Sequence, residues 1–398
     1  MCLADLDPAC GIAPIGRGAG ARDELIAWPQ QSVFVKNVLS KAEGDLDYSA
    51  RLSLDQKEDS KVGTTLVIDS ALEGTSLNLP QPFGKLARAE TDLHIEMQFG
   101  NKQSITGSFG ENLQFELSMQ DDAVNDGVVY VGSNDAPISA LSVKDEDGVI
   151  IIGELDRFVL EEWTAFLPEL FGTTNPSGEL SNTIGLIDLH LDIFELYEQE
   201  LPEVSMQIEV DESSDSWAIS LDSDSVQGMV AYPFDQENYL RIDLAYLRFP
   251  GDPEEESFLG ETKEDIIEEE RIDVLAHIDP RELPPMYFAS KEFSIGSRPY
   301  GEFAFTFEPN ENGAEVTDLV FDFRGLRLNM EGPYVDGTEI DEYAARFEPK
   351  FSWLFDGSEH RSELTGILYA DNMADVLTAN GYAASLESEN AIFFTDVF

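Results

Sequence analysis

A phenylalanine at every second position is the feature that most limits what this chain can fold into. One alternating run precedes the dipeptide Asn312-Gly313 and a second run follows it. Their apolar members are Phe303, Phe305, Phe307, Leu319, Phe321 and Phe323. A period of two is typical of a β-strand with one apolar face. Because Asn-Gly between two such runs is a strong hairpin signal, the sequence predicts an antiparallel pair with phenylalanines along one side.

The same alternation recurs through most of the chain, and turn residues separate the runs. Its apolar members in the other runs are Leu93, Ile95, Met97, Phe99, Leu113, Phe115, Leu117, Leu189, Leu191, Leu240, Ile242 and Leu244. A first strand is predicted near residues 31–34. Leu326, Leu328 and Met330 continue the hairpin out of phase, so we expect either a bulge or a turn at Arg324-Gly325.

Two segments have helical spacing instead. Phe158, Trp163, Phe166 and Leu167 predict a short helix that ends at Pro168, and residues 372–380 predict a second helix before Gly381. The densest charge run, residues 251–271, is predicted to be a solvated insertion. The predicted organisation is an irregular leader over 1–30 and a first β segment over 31–155. A connection of helix, loop and strand over 156–200 then leads to a second β segment over 201–398, which contains the insertion.

A formal net charge of −55, spread over 398 residues, limits the possible partners. Such a surface repels nucleic acid and anionic head groups, so we expect no nucleic-acid partner. The charge also suggests a salt-rich habitat, in which an acidic surface is screened.

The sequence offers no support for catalysis. The four histidines lie in different regions, outside metal-ligand spacing of one another, and no catalytic or phosphate-binding motif occurs. Acidic clusters such as Asp222-Ser223-Asp224-Ser225 could ligate calcium, but close carboxylates arise by chance in so acidic a chain. We therefore expect no enzyme activity, no catalytic residue, no metal and no cofactor.

Both ends of the sequence suggest an internal fragment. Cys2 and Cys10 lie in an irregular stretch without an export signal, and no later cysteine could build a disulfide framework. Nothing approaches the roughly 18 apolar residues of a membrane-spanning helix. The last eight residues, AIFFTDVF, form a strand-like run with no polar tail, so we expect the sheet to continue beyond them.

Several stretches together carry a family resemblance. They are IDPRELPPMYF (278–288), G-x-x-x-Y-G-E-F (296–303), the turn Asn312-Gly313, LRLNMEG (326–332), GYAASLESENAIF (381–393), SALEGTSLNLPQPFGKLA (70–87) and GVIIIGELDRFVLEEW (148–163). In their order and number they resemble the AsmA-like family of bacterial envelope proteins, in its YhdP branch, from about residue 45 onward. No single stretch is as specific as a metal-ligand motif.

The resemblance implies a periplasmic protein, held in the inner membrane by an anchor absent from this sequence. It implies a long curved sheet whose hydrophobic groove moves phospholipid towards the outer membrane, with an unknown outer-membrane or periplasmic partner. The expected ligand is the phospholipid acyl chain. The candidate groove residues are those of the alternating runs above, including Leu326, Leu328 and Met330.

The expected fold is therefore mostly β: a long, twisted antiparallel sheet curled into a taco-like hydrophobic groove, with a few short helices. The alternating pattern by itself favours a covered core, since antiparallel sheets usually bury one face, whereas the resemblance favours an open groove. Two other classes stay open. A sandwich-type carbohydrate-active enzyme or lectin needs a closed core, and a cell-surface adhesin or structural β-protein needs no apolar trough and would bind no lipid.

Overall fold

The computed structural model describes residues 11–17, 33–44, 46–54, 64–100, 103–120, 123–133, 148–171, 183–196, 199–211, 213–235, 237–250, 278–296, 298–323, 326–329, 345–357, 360–372 and 389–397. With 67% of its residues in strands, the protein is mostly β, as predicted. The chain divides into two compact units. The first comprises Met1–Glu195 and Ser205–Val210, and the second comprises Leu196–Val204 and Asp211–Phe398.

The first unit is built on a sheet with two helices beside it. Its strands are β1 Gly11–Arg17, β2 Ala42–Glu43, β3 Ser49–Leu54, β4 Thr64–Ser70, β5 Ser76–Leu77, β6 Leu93–Phe99, β7 Gln103–Phe109, β8 Leu113–Gln120, β9 Ala123–Val131, β10 Val149–Leu155, β11 Phe158–Val159 and β12 Ile184–Leu196. Strands β1, β3, β4, β6, β7, β8 and β9 pair in that order, all antiparallel. Strand β10 is parallel to both β9 and β12, β11 is parallel to the end of β12, and β2 pairs separately with β5.

The two helices of the described chain are α1, Val33–Ser40, and α2, Leu160–Phe171. They pack on each other, with Asn37 Nδ2 donating to the backbone oxygen of Glu169 at 3.0 Å and Lys41 forming an ion pair with the Glu169 carboxylate. Trp163 of α2 stacks on Phe158 at a ring-centroid distance of 5.8 Å. An aromatic contact therefore fixes α2 against the strand residues that precede it.

The second unit contains a sheet of ten strands within its described residues. They are β14 Ser216–Asp222, β15 Val226–Pro233, β16 Leu240–Phe249, β17 Met286–Ile295, β18 Arg298–Asn310, β19 Gly313–Phe323, β20 Leu326–Asn329, β21 Ala345–Phe355, β22 His360–Asn372 and β23 Glu389–Val397. The residues of β13, Gln199–Asp211, are divided between the two units. Neighbours in sequence pair antiparallel, except that β17 is parallel to β16 and β21 is parallel to β20. Strand β21 also pairs with β19.

The predicted Phe-rich hairpin is present as β18 and β19. Asn310 pairs with Gly313, so Glu311 and Asn312 form the turn, one residue earlier than predicted. Gly313 has φ 140°, and a Cβ there would lie 2.0 Å from the backbone oxygen of Trp353. This close approach of β21 explains why the position after the turn is a glycine.

Several local predictions were wrong. Residues 33–40 form α1 instead of a strand, because VFVKNVLS also has apolar residues at helical spacing. Helix α2 continues past Pro168 to Phe171, since proline removes an N–H but its φ is compatible with a helix. Strand β1 lies in the leader that was expected to be irregular. The predicted choice between a bulge and a turn after Phe323 is decided for the turn, because Phe323 pairs with Leu326 in an antiparallel register.

The parallel pairs are a further departure from the predicted antiparallel sheet. They follow long connections, such as the one from Phe249 to Met286, because parallel neighbours need a crossover that local alternation does not reveal. The acidic insertion at 251–271 lies outside the described residues. So does the second predicted helix except for Asn372, which ends β22. The curled groove itself stays a prediction.

Candidate functional site

Apolar residues of neighbouring strands lie opposite one another across the first unit, and we call this surface the first apolar face. Residues that are opposite in the register share a face of the sheet. One row contains Ala50, Ile68, Ile95, Gly107, Phe115, Val129, Ile151 and Ile187. The row on one side contains Leu52, Leu66, Met97, Ile105, Leu117, Gly127 and Val149. The row on the other side contains Ser70, Leu93, Phe109, Leu113, Val131, Gly153 and Leu189.

The first apolar face is buried at one side and half-buried over most of its width. Val131, Leu155, Leu189 and Leu191 are buried, with Leu191 fully so at 0% exposure. From β4 to β8 the apolar side chains stay half-buried, and Phe99 at the end of β6 is 43% exposed. The described chain therefore covers β4 to β8 less completely than a second sheet would do in a sandwich.

The opposite face of the same strands is polar. Glu96, Thr106 and Glu116 form one cross-strand row, beside a row with His94, Ser108 and Gln114. His94 Nδ1 lies 2.7 Å from Asp69 Oδ1 on the neighbouring strand. Across β6 to β8 the sheet thus separates a charged surface from an apolar surface, which is the arrangement that period-two alternation predicts.

Gly107 lets the Phe115 ring lie across the first apolar face. A Cβ at this position would lie 2.5 Å from Phe115 Cζ and 2.6 Å from the backbone oxygen of His94. We expect Gly107→Ala to lower the free energy of unfolding by about 1–3 kcal/mol, because the fixed backbone of β6 cannot move away. Urea denaturation of the variant measures this loss. Ser108→Ala, on the polar face, should stay within about 0.5 kcal/mol, and an unchanged midpoint for Gly107→Ala would contradict the steric argument.

A second apolar face runs across the sheet of the second unit. One row contains Ile219, Val230, Ile242, Phe288 and Phe305. A second row contains Leu221, Gly228, Leu244, Ser290 and Phe303. A third row contains Met286, Phe307, Val316 and Phe351. A bulge at Asp318, with φ 52°, changes the phase of β19 and brings Val316 opposite Phe307.

Five aromatic side chains form a continuous surface on this face. This phenylalanine cluster consists of Phe249, Phe288, Phe293, Phe303 and Phe305. Ring centroids are 5.2 Å apart for Phe288 and Phe305 and for Phe293 and Phe303, 5.5 Å for Phe303 and Phe305, and 6.1 Å for Phe249 and Phe293. All five rings are half-buried, whereas Phe307 beside them is buried with 4% exposure. The cluster therefore offers aromatic surface that the described chain leaves partly uncovered.

The sequence pattern located part of this surface and missed the rest. On the first apolar face the structure places Leu93, Ile95, Met97, Leu113, Phe115, Leu117, Leu189 and Leu191, with Phe99 at its margin. On the second it places Leu240, Ile242, Leu244, Phe303, Phe305 and Phe307, with Leu319 half-buried near the bulge. The structure describes only the backbone of Phe321, Phe323, Leu326 and Leu328. Met330 lies outside the described residues. The role of these residues as lipid contacts stays a prediction.

Phe249, Phe288 and Phe293 were missed. In β17 the alternation of Met286 and Phe288 was the only sequence signal for a strand face. It does not extend to Phe293, because a register shift between Ser290 and Phe293 breaks the period of two.

The three described histidines make separate contacts. His94 pairs with Asp69, His190 Nδ1 lies 3.4 Å from Ser205 Oγ, and Trp353 Nε1 donates to His360 Nδ1 at 3.0 Å. Over the part of the chain that the structure describes, no group of three or more His, Cys, Asp or Glu residues is arranged to hold a metal ion. Both described helices are too short to cross a membrane.

Comparison with known proteins gives one family. A family model described as "YhdP protein" matches residues 23–395, which is nearly the whole chain. No curated protein and no solved structure gives a significant match.

Proposed function

Because this chain belongs to the YhdP family, we propose that its apolar faces hold phospholipid acyl chains and handle lipid without catalysing a reaction. The observation that carries the proposal is the half-buried state of large apolar side chains that lie in register across the sheet of each unit. Such a surface can be covered by an apolar ligand.

The energetics of acyl-chain burial fit this surface. Each methylene removed from water contributes about 0.8 kcal/mol, so a tail gains from many weak contacts in place of one deep pocket. Neighbouring strands lie about 4.8 Å apart, so a tail that crosses the sheet meets a similar side chain at each strand. Similar neighbouring sites allow a lipid to move along the face without leaving a single tight site.

The proposed setting is the periplasm, and the membership of this chain in an envelope-protein family supports that setting. There the chain would form part of a bridge that carries phospholipid between the inner and outer membranes and supports the permeability barrier of the outer membrane. The polar faces and the net charge of −55 would keep the outer surface in water.

The half-buried faces also favour this proposal over a sandwich-type enzyme or lectin. A sandwich buries its alternating residues between two sheets about 10 Å apart. In the described strands β6 to β8 no apolar side chain is buried, and in β16 to β18 the phenylalanine cluster stays half-buried, although Leu244, Leu247 and Phe307 beside it are buried.

Photo-crosslinking at adjacent positions of β7 tests the proposal. Benzoylphenylalanine at Ile105, on the first apolar face, should crosslink phospholipid in cells that produce the protein, whereas the same group at Thr106, on the polar face, should not. Mass spectrometry of the crosslinked protein identifies the adduct. Equal lipid yields at the two positions, or none at either, would argue against acyl-chain binding on this face.

A further inference from the structure

A guanidinium group lies at a corner of the second apolar face. Phe351 lies on the second apolar face, because it is opposite Val316, which is opposite Phe307. Phe355 lies four residues further along β21, so its side chain is on the same face as that of Phe351. Arg281 Cζ lies 4.9 Å from the centre of the Phe355 ring, and His360 stacks on that ring at 4.5 Å. The positively charged side chain of Arg281 therefore lies at the edge of the second apolar face.

The Arg281 side chain is held in a fixed position. Asp279 accepts hydrogen bonds from Nε at 2.8 Å and from Nη2 at 2.6 Å, and Pro280 between them is fully buried. These bonds lower the pKa of the Asp279 carboxyl and raise the pKa of Arg281. Among the described residues, Arg281 Nη1 has no hydrogen-bond acceptor. Its N–H donors can therefore serve an anionic oxygen atom of a ligand.

The corner also carries negative charge. Besides Asp279, the carboxylates of Glu282 and Asp356 lie close enough to act electrostatically on Arg281. A ligand whose only charged group is a phosphate would be attracted by the guanidinium of Arg281 and repelled by the neighbouring carboxylates. A ligand that carries both a phosphate and a primary ammonium group can satisfy both, since an ammonium group has three donors for carboxylate oxygens.

We propose, building on the acyl-chain function above, that this corner binds the head group of a zwitterionic, phosphoethanolamine-type lipid and disfavours anionic phosphoglycerol lipids. The phosphate would lie on Arg281 Nη1 and the ammonium group beside Glu282. The tails would lie on the second apolar face next to Phe351 and Phe355. Head-group selection and tail binding would then take place at neighbouring parts of one sheet.

Arg241 provides a matched control on the opposite face. Its Nε donates to Asp243 at 2.5 Å, and its Cζ lies 5.0 Å from the centre of the Tyr287 ring. It resembles Arg281 in having an acidic partner and an aromatic ring. Because Tyr287 alternates with Phe288, however, Arg241 lies on the polar face, away from any acyl chain.

The test uses the 398-residue chain with benzoylphenylalanine in place of Phe351. Neutral maltoside micelles carry the same mole fraction of dioleoyl phosphatidylethanolamine or dioleoyl phosphatidylglycerol, and the crosslinked fraction is measured by mass spectrometry. We expect more crosslinking with the ethanolamine lipid. Arg281→Gln should reduce it about fivefold, the effect of losing one charge-assisted hydrogen bond at a partly exposed site. Arg241→Gln should leave it unchanged.

A second variant covers the case in which Arg281→Gln disturbs the turn. Glu282→Gln, at an exposed position, should raise capture of the glycerol lipid relative to the ethanolamine lipid. Free glycerophosphoethanolamine or inorganic phosphate should not compete, because neither has tails, and full competition by either would identify a site for small phosphates instead. Equal capture of both lipids by the unchanged protein would overturn the head-group proposal while leaving acyl-chain binding intact. Capture of neither lipid would overturn both.

Discussion

Phe305→Asp is expected to abolish lipid crosslinking while the folded protein accumulates at its normal level. Phe305 is half-buried and contacts Phe288 and Phe303 at centroid distances of 5.2 and 5.5 Å. Losing these aromatic contacts costs about 1 kcal/mol each. The new carboxylate can still reach water, so it avoids the several kcal/mol of a buried unpaired charge. An acyl chain on the same face would have to displace that water, and its binding should fail.

Tyr287→Asp is the matched control, because it places the same charge on the opposite face of the neighbouring strand. There the carboxylate meets Arg241, whose guanidinium lies over the ring of Tyr287. Lipid crosslinking and protein level should both persist. The decisive measurement is the amount of soluble folded protein beside the crosslinked fraction in the same cells. Loss of the folded protein in Phe305→Asp alone would make this face a closed core and remove the basis for lipid binding here.

Lys85→Met is expected to cause the largest loss of stability. Lys85 is only 7% exposed, and its ammonium group donates to the backbone oxygens of Leu72 and Thr75, each at 2.6 Å, and of Leu86 at 3.3 Å. Burial lowers its pKa because the charged group loses water. Methionine fills the same space without donors, so these carbonyl groups lose their hydrogen bonds from a charged group, while Leu72 and Leu86 keep the backbone donors Thr75 N–H and Ala89 N–H. Since a hydrogen bond from a charged group contributes about 1.5–3 kcal/mol and two of the three bonds are short, we expect a loss of about 3–5 kcal/mol.

Thermal denaturation measures this effect, and the midpoint should fall by roughly 10 °C. Lys291→Met, at an exposed position of β17, is the control and should change the midpoint by less than about 2 °C. A similar midpoint for Lys85→Met would mean that the loop around Thr75 does not depend on the ammonium group.

The parts of this fold that sequence predicts well are those in which local alternation reports the face directly. Phe303, Phe305 and Phe307 are an uninterrupted example, and their position on one face followed from spacing alone. Phe293 was missed because it lies five residues after Phe288, across a register shift in β17. The bulge at Asp318 has the same effect on Val316. A bulge inserts one residue and reverses the phase, and no residue type announces it reliably.

The alternation of apolar residues could not predict contacts between distant segments, for a different reason. Arg281 meets Phe355 only because β19 and β21 pair and bring the end of β21 beside the turn before β17. The buried Lys85 is a similar case, since lysine is rarely buried and its spacing carries no sign of the three carbonyl groups around it. Such features depend on the order of strands, and that order depends on crossovers that local periodicity does not encode.

The parallel pairing of β16 with β17 has a consequence for the link between them. Both strands have ten residues and point the same way, so the chain that leaves Phe249 must travel back the length of a strand before Met286. That distance is roughly 30 Å and needs at least about nine extended residues. The whole link from Phe249 to Met286 is therefore the return path that makes this strand order possible. Shortening it is tolerable only down to that span, and a shorter link would force β17 to reverse and present Phe288 to different neighbours.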